Sequence, residues 1–327
     1  MNLKTRLSDI IIWVVSILSV QIVSYLPWKL LLPITRLIGK VISLPKNAGK
    51  DYEQKVRPII PDSPIDVGKK YISHRPESFF LRVKYQGLIT EKRLENLYEV
   101  QGLEHLDRAL KEGRGTIIQM THFGAFEPAF LYLARKGYKI NVIRAITDGS
   151  SKVASPLLNK KVTKDMLKML AKVDIEWIYF KPENSYTSLI WDLLSKNEII
   201  ITFSDVDAPY YIDAPFFNGK LRLASNSAFL AWKYNVPLVA LFCARKKNKY
   251  SLTIEEPYYP VNDMNNALHN ATCRLAALYE KYVRAYPDQW NILQNLKQSI
   301  NEDGTWTLSM RQGKAKQYYD PKDFGLE

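Results

Sequence analysis

Several kinds of chemistry are excluded by what this chain lacks. It has two cysteines in 327 residues, Cys243 and Cys273, at no spacing that suits a metal or a redox pair. They read as two buried thiols in a reducing compartment. No zinc pattern, phosphate-binding Walker loop or GxGxxG turn is present, so the sequence predicts no metal and no tightly bound nucleotide or other cofactor. No GxSxG occurs either, which argues against a serine-hydrolase elbow. Acidic residues are few beside basic ones, 33 Asp and Glu against 46 Lys and Arg, a formal charge of +13. That excess favours an anionic partner: a membrane surface, a phosphorylated substrate or a nucleic acid. No nucleic-acid recognition motif accompanies it, so nucleic acid is not expected as a partner.

Long apolar runs are confined to the beginning. Ile10 to Leu26 is nearly unbroken and stops at Pro27. As a helix it would be about 26 Å long, a little short of a hydrocarbon core of about 30 Å. A short span, a tilted hairpin arm and a segment sunk in one leaflet all fit it. Next comes WKLLLPITRLIGKVISL, in which Lys29, Arg36 and Lys40 share one helical face and leucines and isoleucines fill much of the remainder. This suits a helix at the membrane interface with its cations toward headgroups. Pro33 should kink or divide it. A cleaved signal peptide is the rival, but no small-x-small site follows Leu26; a buried core helix is the other. These features predict a retained membrane anchor over 1–45, with membrane lipids as partners.

Residues 46–97 read as a helical lead-in, with patterns over Pro64–His74 and Glu77–Tyr85. From about Tyr98 short β-rich runs alternate with helical ones. Strands are expected at Thr116–Met120, Ile140–Arg144, Ile175–Phe180, Glu198–Phe203, Leu238–Phe242 and Tyr250–Glu255. Helices are expected at Glu127–Arg135, Pro156–Ala171, Ser185–Leu194, Ala224–Tyr234 and Met264–Tyr286. The alternation predicts an α/β layered domain over 98–300, its mostly parallel central sheet flanked by helices. Residues 301–327 read as a polar tail.

The chemistry concentrates in TIIQMTHFGAFEPAF. An apolar strand runs into His122, and Glu127 and Pro128 open the helix behind it. Sites in α/β sheets gather where strands end and helices begin. Five residues apart on one helix, His122 and Glu127 would point away from each other. They meet only if the chain turns between them, which Gly124 permits. Pro128 fits a first helical position, which makes Glu127 the N-cap. A carboxylate there accepts one imidazole N–H and raises the basicity of the other nitrogen. Such a dyad has no nucleophile of its own and suits a general base acting on a substrate hydroxyl. H-x4-E taken alone also occurs by chance.

The surroundings add more. YEVQGLEHLDRALKEGRGTIIQMTHFGAFE resembles the lysophospholipid and lipid A late acyltransferase family in its V-x-G-L-E-H-L segment, its E-G-R-G helix end, its apolar strand and its H-F-G-x-x-E. The likeness continues at VIRA, at EIIITFSDVD, through APFFNGKLRLASNSAFLAWKYNVPLVALF, and in LYEKYVRAYPDQWNIL, about two thirds of the chain. It implies that His122 is the general base and Glu127 its support. It implies an acyl group carried by a thioester, on acyl-CoA or acyl carrier protein, as co-substrate. The acceptor it implies is a hydroxyl of a lysophospholipid, a lipid A precursor or another glycolipid. Arg144 would meet an acceptor phosphate. Asp205 and Asp207 would belong to the site, and Phe216, Phe217 and Gly219 would shape the cleft.

Two departures bear on the acceptor. No arginine lies between Arg144 and Arg222, where the family has one; Lys160 or Lys161 stands nearby without a guanidinium fork. Asn218 separates the Phe pair from Gly219. Arg245, Lys246, Lys247 and Lys249 form a basic cluster that reads either as a solvated hairpin or as a dock for an acidic acyl carrier protein. Acylation of an amine or a specialised metabolite, and a non-catalytic lipid-binding role, are the alternatives. Oligomeric state is not legible.

Overall fold

The computed structural model describes residues 27–88, 95, 97–145, 175–180, 187–206, 208, 210–246, 249–261 and 263–310. The apolar run over Ile10–Leu26, the helix expected at Pro156–Ala171, Lys160, Lys161, Asp207, Lys247 and the last seventeen residues lie outside them.

A seven-stranded sheet forms the centre. It comprises β1 (Tyr98–Gln101), β2 (Thr116–Met120), β3 (Ile140–Ala145), β4 (Ile175–Phe180), β5 (Ile199–Phe203), β8 (Leu238–Arg245) and β9 (Tyr250–Ile254), in the order β1-β9-β8-β2-β5-β3-β4. The five strands from β8 to β4 are mutually parallel. β9 turns back antiparallel to β8, and β1 runs parallel to β9. This is the mostly parallel sheet the sequence predicts, with a reversed edge.

Both faces of the central strands are apolar because both are covered. Ile118 and Met120 of β2, Ile199 and Ile201 of β5, and Val239 and Leu241 of β8 pack on one side, under helices α4 (Leu103–Leu110) and α5 (Glu127–Arg135). Ile117 and Ile200 point to the other side, against α6 (Thr187–Ser195), α7 (Asn226–Tyr234) and the start of α8 (Met264–Ala285). Neighbours in sequence on opposite faces are what the two-residue period of a strand requires.

A second, four-stranded sheet was not expected from the sequence. Its order is β10 (Lys297–Ile300), β11 (Trp306–Ser309), β7 (Gly219–Ala224), β6 (Tyr211–Phe216). β6 and β7 form a hairpin in which Phe216 pairs with Gly219. Its strands carry Asp213, Pro215 and Gly219, residues poor in strand propensity, and Pro215 is tolerated because β6 is an edge. β11 falls in the segment read as a polar tail, yet Trp306, Thr307, Leu308 and Ser309 are all buried. The indole of Trp306 lies so close over Gly219 that a β-carbon there would come within 2.3 Å of it.

The lead-in comprises α1 (Trp28–Ile42), α2 (Lys50–Val56) and α3 (Val67–Leu88). Pro33 does not divide α1, and α3 runs on through Pro76 where two shorter helices were expected. Leu31 and Thr35 of α1 face inward while Leu30, Ile34, Leu37, Val41 and Leu44 are exposed. Among the described residues no helix is long and apolar enough to cross a membrane. Cys243 is buried, but Cys273 is only half-buried; both are free thiols.

Candidate active site

β2 and β5 are adjacent and parallel, and Met120 pairs with Phe203. Two residues beyond each stand His122 and Asp205. The register of the two central strands therefore delivers the two side chains to one place. The Nδ1 of His122 lies 2.8 Å from the Oδ1 of Asp205. The backbone N–H of His122 donates to Oδ2 of the same carboxylate at 2.7 Å. A third donor, the hydroxyl of Tyr279 on α8, reaches Oδ2 at 3.1 Å.

Asp205 is only 2% exposed, and a carboxylate so buried persists only when its oxygens are satisfied. Here two side chains and one amide satisfy them. Tyr279 is fully enclosed, and burial, then the Asp205 charge, push its phenol well above its ordinary range. It therefore remains a donor to the carboxylate.

The imidazole itself is not sealed in: about a third of the side chain is exposed. Phe203 stacks on one of its faces at 4.6 Å between centroids, and Phe126 meets it edge-on at 5.1 Å. Asp205 and the two rings hold one edge and one face of the imidazole.

The loop carrying His122 is pinned by the chain's distant end. Gly124 has φ +56°, and a β-carbon on it would stand 1.9 Å from the carbonyl oxygen of Cys243; only glycine fits there. Its amide donates to Gln289 O at 2.9 Å, and the amide of Ala125 donates to Cys243 O at 3.2 Å. Asn291 donates twice, from its backbone to His122 O at 3.1 Å and from its side chain to Gly124 O at 2.8 Å. Phe123 and Trp290 form an isolated antiparallel bridge.

The sequence-predicted residues are thus distributed as follows. Asp205, expected as a substrate-site residue, is the carboxylate on the Nδ1 of His122. Glu127 opens α5 as its first helical residue, with Phe126 in the N-cap position, one residue from the expected arrangement; helix ends are defined only to about a residue, and its side chain lies outside the described residues. Arg144 lies on β3, whose Val142 pairs with Ile201 of β5, so it stands level with Phe203 at the same end of the sheet; its side chain is likewise outside the described set. Asp207 is outside it altogether. Phe216 is buried between Tyr279 and Trp290, at 6.1 and 5.4 Å. It stands behind the pair of Tyr279 and Asp205. Phe217 occupies the turn with φ +49°, a conformation uncommon for a bulky residue. Its amide is held by Glu280 at 2.6 Å, and the Arg284 guanidinium lies 4.6 Å over its ring. Gly219 packs under Trp306.

The basic cluster divides. The β8–β9 connection is a hairpin, as one of the two readings required. Arg245 turns inward to Glu77 at 2.6 Å, while Lys246 and Lys249 each lie 3.8 Å from Glu99.

Sequence reasoning missed Tyr279, Phe203, Gln289 and Asn291. Phe203 was legible as a strand end; the others act through contacts at least 44 residues away in the chain. Among the described residues no group of His, Cys, Asp and Glu is arranged to hold a metal ion.

A family model described as bacterial lipid A biosynthesis acyltransferase matches residues 2–298. No curated protein matches the chain. The match spans most of the sequence, and the chain belongs to that family and is an acyl-transferring enzyme.

Proposed function

From that membership we propose that the protein moves a fatty acyl group from a thioester, on acyl carrier protein or acyl-CoA, to a hydroxyl of a glycolipid or lysophospholipid, with His122 as general base. The observation that carries this reading is the bond between the Nδ1 of His122 and Asp205. A proton on Nδ1, held by the carboxylate, leaves Nε2 as the basic nitrogen. The acceptor hydroxyl gives its proton to Nε2 while its oxygen attacks the thioester carbonyl. The new C–O bond forms, the C–S bond breaks, and the proton passes from the imidazolium to the departing sulfur. The products are an ester and a free thiol carrier. A general base of this kind contributes about 10²- to 10⁴-fold; alignment of the two reactants contributes much of the rest.

Glu127 begins α5 beside this loop, and its negative charge in the first turn favours an imidazolium nearby. Arg144, at the same end of the sheet, suits an acceptor phosphate by a bidentate contact. Asp207, two residues beyond Asp205, is assigned to the acceptor site. Phe217 and the turn to Gly219 are assigned to the wall of the cleft. No metal or organic cofactor is required.

The working surface is a membrane. Helix α1 exposes Leu30, Ile34, Leu37 and Val41, with Lys40 in its last turn. A face of this kind settles at a lipid interface and would seat the catalytic domain on the cytoplasmic side of the inner membrane. The test supplies membranes containing the protein with labelled acyl-CoA or acyl carrier protein and a panel of lysophospholipids and lipid A precursors. A labelled ester with one acceptor class identifies that class. Label on no hydroxyl-bearing lipid, with transfer to an amine instead, overturns the reading.

A further inference from the structure

Glu77 lies on α3, far from His122 in sequence, and is 1% exposed. A carboxylate in such a place is costly unless cations and donors surround it. Three elements supply them. Arg36 reaches it from α1, Nε to Oε2 at 3.3 Å. Arg245 reaches it from the end of β8, Nη2 to Oε2 at 2.6 Å. The hydroxyl of Tyr250 on β9 donates to Oε1.

The network does not end there. The backbone of Arg245 grips the side chain of Gln289 at both ends: the Arg245 amide donates to Oε1 at 2.6 Å, and Nε2 donates to the Arg245 carbonyl at 2.8 Å. Gln289 in turn accepts the amide of Gly124, and Asn291, two residues on, bonds His122 and Gly124. The same short segment is held from the lead-in by Tyr52, whose hydroxyl donates to Pro287 O at 2.5 Å, and by His74, 3.1 Å from Asp288. Two residues, Arg245 and Gln289, thus link Glu77 to the loop that carries the base. Its other side is tied to the helix whose outer face is apolar.

We propose that Glu77 is a positioning residue for His122: by fixing Arg245 it fixes Gln289, and through it the loop over residues 122–125. This rests on the reading of His122 as the base. A buried ion pair rarely stabilises a fold more than apolar packing of the same shape would. Placement of a reacting group, in contrast, is sensitive, and a displacement of about 1 Å costs about 10²-fold in rate. The arrangement also makes α1 part of the scaffold of the site, since Arg36 shares the Glu77 carboxylate.

The test combines kinetics with amide exchange on Glu77→Gln, which keeps the shape and removes the charge. The expected result is a kcat lowered about ten- to a hundredfold with the acceptor KM within about twofold. Amides over 122–125 and 289–291 should exchange at least about tenfold faster, with those of β2 and β5 unchanged. Should Glu77→Gln not fold, the double variant Glu77→Leu with Arg245→Met replaces the pair by apolar packing and is expected to fold with the same two defects. Wild-type kcat in a folded variant overturns the proposal. So does exchange that is unchanged at the loop, or raised evenly across the sheet. If the wild-type protein transfers no acyl group, the reading of His122 fails, and the exchange arm still decides whether Glu77 braces the loop.

Discussion

His122 and Asp205 are 83 residues apart in the chain and 2.8 Å apart in space, Nδ1 to Oδ1. The pairing follows from one strand register. Met120 is level with Phe203, and each strand then continues by two residues to a functional side chain. The carboxylate holds the ring through Oδ1, and the backbone amide of the same residue holds the carboxylate through Oδ2. A rotation of the imidazole away from the cleft therefore breaks its bond to an acid that stays anchored beside it.

Asp205→Asn keeps the size of the side chain and removes the charge that favours an N–H on Nδ1. It is expected to lower kcat about 10²- to 10⁴-fold, the range for a base held in the wrong tautomer, with little change in acceptor KM. Glu127→Gln is expected to cost less, because the carboxylate bonded to Nδ1 is that of Asp205. Steady-state kinetics on both variants and their double variant checks the division: a larger loss from Glu127→Gln would make Glu127 the principal partner of the ring.

Tyr279 gives Asp205 its third donor from inside the core. Tyr279→Phe leaves the packing with Phe123, Phe216 and Phe242 and deletes one bond to a charged acceptor. The expectation is a loss of about 1.5–3 kcal/mol in stability and about tenfold in kcat. Urea unfolding and single-turnover rates measure the two separately, and an unchanged kcat would confine Tyr279 to a structural role.

Gly124→Ala should be among the most damaging single-atom additions in the chain. The backbone there is left-handed and the new carbon would meet the Cys243 carbonyl at 1.9 Å. A penalty of at least about 1–3 kcal/mol is expected, together with a displaced His122. Thermal unfolding with and without bound acyl donor checks it; a fully active, fully stable variant would show that the loop relaxes freely.

Acid should weaken the lead-in. Burial, assisted by the Arg245, Lys70 and Arg36 cations, pushes His74 down to about 3. Between its ordinary value near 6.5 and about 3, the unfolded chain takes up a proton that the folded chain refuses. Stability therefore falls as pH falls through that window, and this group adds nothing further below it. The upper bound is about 5 kcal/mol. Burial raises Asp288, which takes up its proton earlier in the folded state and offsets part of the loss. Unfolding free energies from pH 7 to 4 should slope less steeply for His74→Asn than for the wild-type chain. Equal slopes would assign the acid sensitivity elsewhere.

Much of this architecture was legible because the central strands are buried on both faces. TIIQM and IIITF are continuous apolar runs with no competing helical period, and both fall where expected. The second sheet was not legible. Its strands are interrupted by Asp213, Pro215 and Gly219, and β11 is buried through long-range packing, with Trp306 over Gly219 and Leu308 in the core. In the site, His122 was visible from a strand running into a turn and a helix. Asp205 as an acid on its ring was not, because the strand register that brings it there is a long-range property, while local spacing points to Glu127 alone. Arg245 shows the same limit: a run of cations reads as one surface feature, and only the fold reveals Glu77 beneath it.

The most direct test of the account is the single-turnover rate of acyl transfer in His122→Asn, with wild-type protein alongside, at saturating thioester and acceptor. The account predicts a rate lowered about 10²- to 10⁴-fold with acceptor binding retained and the fold intact by circular dichroism. A rate within about threefold of wild type would contradict it and remove His122 as the base.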